Sequence, residues 1–142
     1  YFNNLADQTD LFPGMEEVLA RCEHDNIPWG IVTNKPWKYS SAVLEQLNLI
    51  GRAATVICPD HVAHPKPNPE AMLLAAAQIS VAPKDCLYVG DHLRDIDAGI
   101  AAGMRTIAAG WGYIEHGEDA SSWNADYFVS ESNQLHQLLF NP

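Results

Sequence analysis

Residues 87–99 of the chain read LYVGDHLRDIDAG, and this stretch decides the fold. An apolar run ends at Gly90, and three carboxylates follow it at Asp91, Asp95 and Asp97. A short apolar run that ends in glycine is typical of a buried strand that opens into a loop. Ligands of open α/β sheets bind at the carboxyl ends of the strands. The stretch therefore predicts a polar site at the top of a parallel sheet, and its carboxylates suit a hard cation such as Mg²⁺.

The three carboxylates are not equivalent. Asp91 directly follows the strand, and Asp95 lies about one helical turn further on, so both are able to face one cation. Asp97 is offset by two residues from Asp95 and is expected to point away. Asp95 has an alternative interpretation as an acid that complements the dipole at a helix N-terminus. The role of His92, which adjoins Asp91, is left open.

The rest of the chain alternates between strand and helix patterns. Apolar residues at helical spacing begin at Met15, and later helices follow Pro36 and Pro69. A short helix through Ile96 ends near Gly103, and a terminal helix includes Leu135. This alternation predicts β-α-β crossovers and a parallel sheet that is covered on both faces. The predicted strands are residues 29–33, 53–58, 86–89, 105–109 and 126–129.

Two further polar side chains lie near the predicted ends of strands. Thr33 follows the first strand and precedes a helix, where a hydroxyl and free backbone N–H groups are able to hold a phosphate oxygen. A plain helix cap is the alternative for Thr33. Lys66 lies in a proline-stiffened loop just before a helix, where its charge is able to face an anion. A solvated surface lysine is the alternative there, because most lysines are surface residues.

Composition excludes some classes of partner. The chain has 142 residues, 47% of them hydrophobic, and a formal net charge of −10. This charge argues against nucleic acid, which needs a basic face, and against an anionic membrane surface. The cysteines form no C-x-x-C pair, so we expect three buried thiols in a reducing compartment rather than a zinc site. With no signal peptide or membrane-length apolar run, the expected location is the cytoplasm.

The order of these features resembles the haloacid dehalogenase-like phosphatases. The second motif of that family is matched by Thr33 within VTNK (residues 32–35), and the third by Lys66 within HPKPNPE (residues 64–70). The fourth motif is matched by Gly90-Asp91 and Asp95. The resemblance covers nearly all of residues 11–129, and it implies a Rossmann-like, three-layer α/β fold with a parallel sheet.

Within the family, the chain looks most like the phosphoglycolate phosphatase branch. The stretches TNKP (residues 33–36), ICPDHV (residues 57–62) and WGYI (residues 111–114) are similar to bacterial N-acetylmuramic acid 6-phosphate phosphatases. The resemblance implies Mg²⁺-dependent hydrolysis of a small phosphorylated metabolite through an aspartyl-phosphate intermediate. The metabolite would be phosphoglycolate or a phosphosugar such as N-acetylmuramic acid 6-phosphate.

The resemblance also implies a role for each matched residue. Thr33 and the backbone of Asn34 would hydrogen-bond the phosphoryl oxygens. Lys66 would contact the phosphate, offset charge and orient the nucleophile, so Thr33 and Lys66 are the expected catalytic residues. Asp91 would bind Mg²⁺. Asp95 would act through a water molecule, or it would accept a hydrogen bond from a group that itself binds the metal.

The first motif of the family, Asp-x-Asp-x-Thr, does not occur in these 142 residues. Asp95-Ile96-Asp97 has the spacing but lacks the threonine and lies in the fourth motif. The resemblance implies that a central strand carrying that motif belongs between the strands that end at Thr33 and Gly90. Without it, two strand edges would face each other about 10 Å apart. We therefore expect residues 11–142 to form a partial core and residues 1–10 to be a remnant of a helical cap or linker. We also expect the chain to need an upstream segment of the same protein and to be inactive by itself.

Three alternatives remain at this stage. The missing nucleophile suits a non-catalytic binding or regulatory domain of the same family. A phosphosugar mutase would keep the family and change the chemistry. An unrelated doubly wound phospho-acceptor domain would need an acidic cluster after the first strand, whereas the acids here come late in the chain.

Overall fold

A computed structural model of the chain describes residues 11–111 and 119–140. Strands and helices alternate through most of these residues, and every strand pair is parallel, as predicted. The predicted cap remnant or linker at residues 1–10 lies outside the described residues, as do residues 112–118, which include most of the WGYI stretch, and the last two residues. None of the described helices is long and apolar enough to cross a membrane. The helices are α1 (Met15–His24), α2 (Trp37–Gln46), α3 (Glu70–Gln78), α4 (Leu93–Ala101) and α5 (Leu135–Phe140), and the strands are β1 (Gly30–Val32), β2 (Thr55–Ile57), β3 (Leu87–Gly90), β4 (Arg105–Ala109) and β5 (Tyr127–Val129).

The described strands form two separate parallel sheets. One sheet pairs β1 with β2, and the other has the order β3-β4-β5. Because β1 and β3 are not paired with each other, the prediction that the strands ending near Thr33 and Gly90 keep separate edges is confirmed.

The hydrogen bonds show which backbone groups face the gap between the sheets. The Thr33 N–H donates to the Ile57 carbonyl of β2 at 3.0 Å. Because the backbone N–H and carbonyl groups of successive strand residues point to opposite edges of the strand, those of Val32 point away from β2. In the second sheet the Arg105 N–H donates to the Cys86 carbonyl at 3.2 Å. The same alternation turns the backbones of residues 87 and 89 away from β4.

Apolar side chains cover both faces of the strands, which confirms the three-layer arrangement. Successive residues of β1 point to opposite faces, as strand geometry requires. Ile31 packs with Leu19 of α1 and Leu44 of α2, whereas Val32 packs on the other face with α3 and α4. In the second sheet, one face packs against α1 and α5 through Met15, Val18, Ile107, Val129 and Leu135. The cluster under α3 and α4 contains Val32, Ile57, Ala71, Met72, Ala75, Ala98 and Ala102.

Two details differ from the sequence predictions. The first, second and fifth strands are shorter than predicted, and Asp126 lies outside β5, where its carboxylate accepts the Thr106 N–H at 2.8 Å. The prediction of three buried thiols holds for Cys58 but is wrong for Cys22 and Cys86, which are partly exposed. Cys22 lies near the end of α1 and Cys86 just before β3, where neighbouring elements cover less of the side chain.

Candidate active site

The predicted site residues lie after β1, before α3 and after β3. Thr33 directly follows β1, Lys66 belongs to the loop that precedes α3, and Asp91 directly follows β3. Parallel strands bring their carboxyl ends to one edge, so residues distant in sequence come together there. The structure brings Lys66 into contact with the last residue of β1 and with the first turn of α4.

Lys66 is a buried lysine rather than a surface one. Its side chain is only 5% exposed, and its Nζ lies 2.6 Å from Asp95 Oδ1. That contact is a buried ion pair, held by the attraction between the two charges. Lys66 Nζ also donates to the Val32 carbonyl at 2.9 Å. These contacts exclude the solvated-lysine alternative.

Burial controls the electrostatics of the Lys66 ammonium. It lowers the pKa of Lys66 from its ordinary value, since the charged form loses hydration. The carboxylates of Asp95 and Asp91 oppose this change, whereas the positive charge of Arg94 adds to it. The ion pair with Asp95 therefore offsets part of the desolvation of the Lys66 ammonium.

Asp95 uses both of its carboxylate oxygens within the protein. Oδ1 faces Lys66, and Oδ2 accepts the backbone N–H groups of Asp91 at 3.2 Å and His92 at 3.1 Å. This is the alternative that the sequence offered for Asp95, an acid at the N-terminus of a helix. Gly90 permits the arrangement, because a Cβ at that position would overlap the Asp95 Cβ.

Asp91 presents its carboxylate at the end of β3. Its side chain is 16% exposed, and its Oδ1 lies 3.8 Å from His92 Nε2. Asp97 is exposed on α4, as expected for a residue that points away. Within the described residues, no group of three or more His, Cys, Asp or Glu side chains is placed to hold a metal ion. Mg²⁺ is commonly held by one or two carboxylates, with water and substrate phosphate completing its shell. Asp91 therefore fits as one ligand of such a site.

Asn34 has a function that the sequence did not reveal. Its side-chain Nδ2 donates to the Lys66 carbonyl at 3.0 Å, and its Oδ1 accepts the Lys66 N–H at 3.2 Å. The amide thus holds the Lys66 peptide by both backbone groups. Thr33 lies beside it, and its Oγ1 accepts the Lys35 N–H at 3.1 Å in a local turn. The predicted contacts of Thr33 and Asn34 with phosphate stay predictions.

Tyr88 is the site residue that sequence reasoning missed. Its Oη accepts a hydrogen bond from Lys66 Nζ at 2.9 Å and donates to the Val32 carbonyl at 2.9 Å. In the sequence it lies in an apolar run and has the pattern of a core residue. The one available signal was its phenol, because a buried tyrosine hydroxyl usually finds a hydrogen-bond partner.

The other histidines near this edge make contacts within their loop. His61 Nδ1 accepts the Cys58 N–H at 2.9 Å. Glu70 accepts the backbone N–H groups of Ala63 and His64, and its Oε1 lies 3.1 Å from His64 Nδ1. These bonds lower the pKa of Glu70, with the Ala63 N–H contributing most. Glu70 thereby anchors the loop that carries Lys66 to the start of α3.

Two parallel sheets whose strands alternate with helices place the chain in the doubly wound α/β class, with Thr33 and Asp91 at the carboxyl ends of β1 and β3. Residues 1–109 match the model of the family described as haloacid dehalogenase-like hydrolase. The chain belongs to this family, which confirms the resemblance.

Relatives within the family are named as phosphatases. The chain is 42% identical over 139 residues to an N-acetylmuramic acid 6-phosphate phosphatase of Pseudomonas putida, covering 98% of the chain and 62% of the relative. It is 46% identical over 131 residues to a phosphoglycolate phosphatase of Xanthomonas campestris, covering 92% of the chain and 59% of the relative. The chain thus spans about three-fifths of the length of either protein.

The fold is also found in solved structures. The crystal structure of a predicted phosphoglycolate phosphatase from Haemophilus somnus superposes with a TM-score of 0.86 at 22% identity, covering 96% of the chain and 60% of that structure. At this identity the likeness concerns the fold alone. Together with the family match, this likeness shows that the described residues form part of a haloacid dehalogenase-like domain, as predicted.

Proposed function

We propose that the whole protein is a phosphatase that hydrolyses the phosphate monoester of a small metabolite. The observation that carries the proposal is the buried ammonium of Lys66, which lies between the ends of β1 and β3 with acids on α4 and after β3. A desolvated, fixed positive charge is suited to a phosphoryl group, because its attraction is weakly screened. The names of the curated relatives support the same reaction class.

In this proposal the residues of the chain bind and orient the phosphoryl group. The Thr33 hydroxyl and the Asn34 backbone N–H would donate to its oxygens, and Lys66 would neutralise the charge that develops on them. Asp91 would hold Mg²⁺, which when bound supplies further charge neutralisation and orients the phosphate. Asp95 would keep Lys66 and the Asp91 backbone in place, and in the metal-bound protein its carboxylate would accept from a water ligand.

The proposed chemistry has two steps. A carboxylate outside these 142 residues attacks phosphorus, the ester P–O bond breaks, and the departing alkoxide takes a proton to become an alcohol. Water then attacks phosphorus in the aspartyl phosphate, which releases inorganic phosphate and regenerates the carboxylate. A covalent intermediate divides one difficult displacement into two easier ones.

Two substrate classes follow from the relatives, phosphoglycolate and a phosphosugar such as N-acetylmuramic acid 6-phosphate. The identities to the two relatives, 46% and 42%, are too similar to choose between them. Parallel assays with both esters, with release of inorganic phosphate as the readout, would make the choice. A mutase would instead return an isomerised sugar phosphate without net phosphate release.

The test uses the whole protein and a chromogenic phosphate ester, with and without Mg²⁺. We expect hydrolysis that depends on Mg²⁺ and is abolished by Asp91→Asn, because the amide removes the negative charge that binds the cation. Asp97→Asn is the matched control, since Asp97 is exposed on α4 and should leave turnover unchanged. Near-wild-type hydrolysis by Asp91→Asn would refute the assigned metal ligand. Absence of hydrolysis in the wild-type protein would favour the non-catalytic binding domain.

A further inference from the structure

We propose that Tyr88 is a positioning residue for Lys66, whose hydroxyl holds the Lys66 ammonium at the carboxyl ends of β1 and β3. The proposal rests on the proposed function, because it assigns a task to Tyr88 within the same phosphatase site. Tyr88 would not touch the substrate, and its effect on turnover would pass through Lys66.

The geometry is a closed triangle of polar groups. Lys66 Nζ donates to Tyr88 Oη at 2.9 Å and to the Val32 carbonyl at 2.9 Å, and Tyr88 Oη donates to the same carbonyl at 2.9 Å. The ring of Tyr88 also lies near the ammonium, with 5.4 Å from Nζ to the ring centroid. With Oη only 2.9 Å from Nζ, the ammonium lies beyond the hydroxyl end of the ring rather than over its face, so Tyr88 contacts the ammonium through its hydroxyl.

The Tyr88 side chain is held firmly enough to position another group. It extends from β3 toward α4 and packs against the cluster that contains Val32, Met72 and Ala98. A Cβ at Gly99 would lie 3.7 Å from the Tyr88 Cβ, so α4 covers the base of the side chain. A ring fixed at its base by a strand and a helix has little freedom to move its hydroxyl.

The Tyr88 hydroxyl is important because the other neutral acceptor of the Lys66 ammonium, the Val32 carbonyl, lies at the unpaired edge of β1. The Val32 carbonyl faces the gap between the two sheets, and a strand paired there would donate an N–H to it. A carbonyl oxygen has two lone pairs, so such a strand would compete with Lys66 for this acceptor. Tyr88 Oη would then be the neutral acceptor that keeps Lys66 at the sheet edge, opposite the charged Asp95.

The experiment compares Tyr88→Phe with the wild-type whole protein in steady-state hydrolysis of a chromogenic phosphate ester. Phenylalanine keeps the ring and its packing and removes the hydroxyl alone. We expect kcat to fall by about tenfold or more, the scale of a lost hydrogen bond to a charged group, with KM changed less than about twofold. Tyr127→Phe is the control, because Tyr127 is 44% exposed on β5.

A double-mutant cycle separates positioning from general packing. If Tyr88 acts through Lys66, then Tyr88→Phe should cost little further kcat in a Lys66→Met background. An equal fold-loss in both backgrounds, or a kcat for Tyr88→Phe within about twofold of wild type, would overturn the proposal while leaving the phosphatase function intact. A wild-type protein without phosphatase activity would overturn both.

Discussion

At the scale of single residues, the site depends on one buried ion pair. The side chains of Lys66 and Asp95 are 5% and 6% exposed, and their charged atoms are 2.6 Å apart. Taking either charge out of water is costly, and the attraction between them offsets that cost only while both are present. The same ion pair therefore contributes to the stability of the chain and holds the Lys66 ammonium, the group that would face phosphate, in place.

Replacement of Lys66 by alanine should affect both properties. We expect Lys66→Ala to lower kcat by about 100- to 1000-fold in the whole protein, the usual effect of removing one electrostatic contact to the transition state. It should also lower the free energy of unfolding by about 3–5 kcal/mol, because the Asp95 charge is left buried without its partner. Steady-state kinetics and urea denaturation measure the two effects separately.

A second variant shows that the two effects have different origins. Lys66→Met combined with Asp95→Asn removes both charges, so it should recover much of the lost stability without recovering turnover. Lys84→Ala is the control, because Lys84 is 80% exposed and pairs only loosely with Asp85, 3.4 Å away. Turnover restored by the double variant would contradict a direct role of the Lys66 charge.

Individual residues also show what the sequence was able to predict. Thr33, Lys66 and Asp91 are recognisable because each lies beside a strand end or a proline-rich loop. The side-chain roles of Asn34 and Tyr88 are contacts across 32 and 22 residues of sequence, respectively. Such contacts depend on how the strands are placed side by side, and no local pattern records that arrangement.

At the scale of elements, α4 approaches the sheet closely because glycine lies at two contact points. A Cβ at Gly90 would overlap the Asp95 side chain, and a Cβ at Gly99 would lie 2.6 Å from Thr106 Cγ2. Thr106 is completely buried on β4, so it has no space to move aside. The close approach brings the first turn of α4 to Lys66.

Gly99→Ala tests this packing. In an exposed helix the change would stabilise the protein, since glycine costs roughly 1 kcal/mol relative to alanine. Here the new methyl group would press against Thr106 and separate α4 from β4, so we expect a net loss of about 1–3 kcal/mol in the free energy of unfolding. Urea denaturation of the whole protein measures the change.

The control for this substitution lies in a loop. A Cβ at Gly51 would meet no other atom within 4 Å, so Gly51→Ala should change the free energy of unfolding by less than about 0.5 kcal/mol. A Gly99→Ala protein as stable as wild type would mean that α4 is able to move away from β4 without cost.

The bounds of the strands were less predictable than their order along the chain. Hydrophobic runs marked all five strands, but residues at the ends of a run need not pair. Asp126 was predicted to begin the last strand, and instead its carboxylate binds the backbone N–H of Thr106. A side chain that replaces a ladder hydrogen bond gives no signal in the pattern of apolar residues.

At the scale of the whole molecule, the gap between β1 and β3 is the main architectural feature. Alternating strands and helices predicted a parallel sheet, but periodicity contains no information on which strands lie side by side. The expectation of two separate edges came from the family resemblance, through the motif that these residues lack. Buried backbone groups without partners are rare in native proteins, so the gap calls for a hydrogen-bonding neighbour.

We predict that in the whole protein a strand from another segment lies between β1 and β3 and pairs with both. Its pairing would protect the amides that face the gap, those of Val32, Leu87 and Val89, from hydrogen exchange. Two strand spacings would then separate β1 from β3, about 10 Å. Hydrogen exchange followed by NMR on the whole protein measures the protection amide by amide.

The amide of Thr33 is the internal standard for this measurement, because it is already bonded to the Ile57 carbonyl within the first sheet. If the central strand is present, Val32 should exchange about as slowly as Thr33, since both amides would belong to one continuous sheet. Fast exchange at Val32 beside slow exchange at Thr33 would show that the gap persists in the whole protein. Cross-strand contacts between the backbones of β1 and β3 would show that the two sheets pair directly. Either result would contradict a central strand, and with it the expectation that the nucleophile reaches Lys66 from that position.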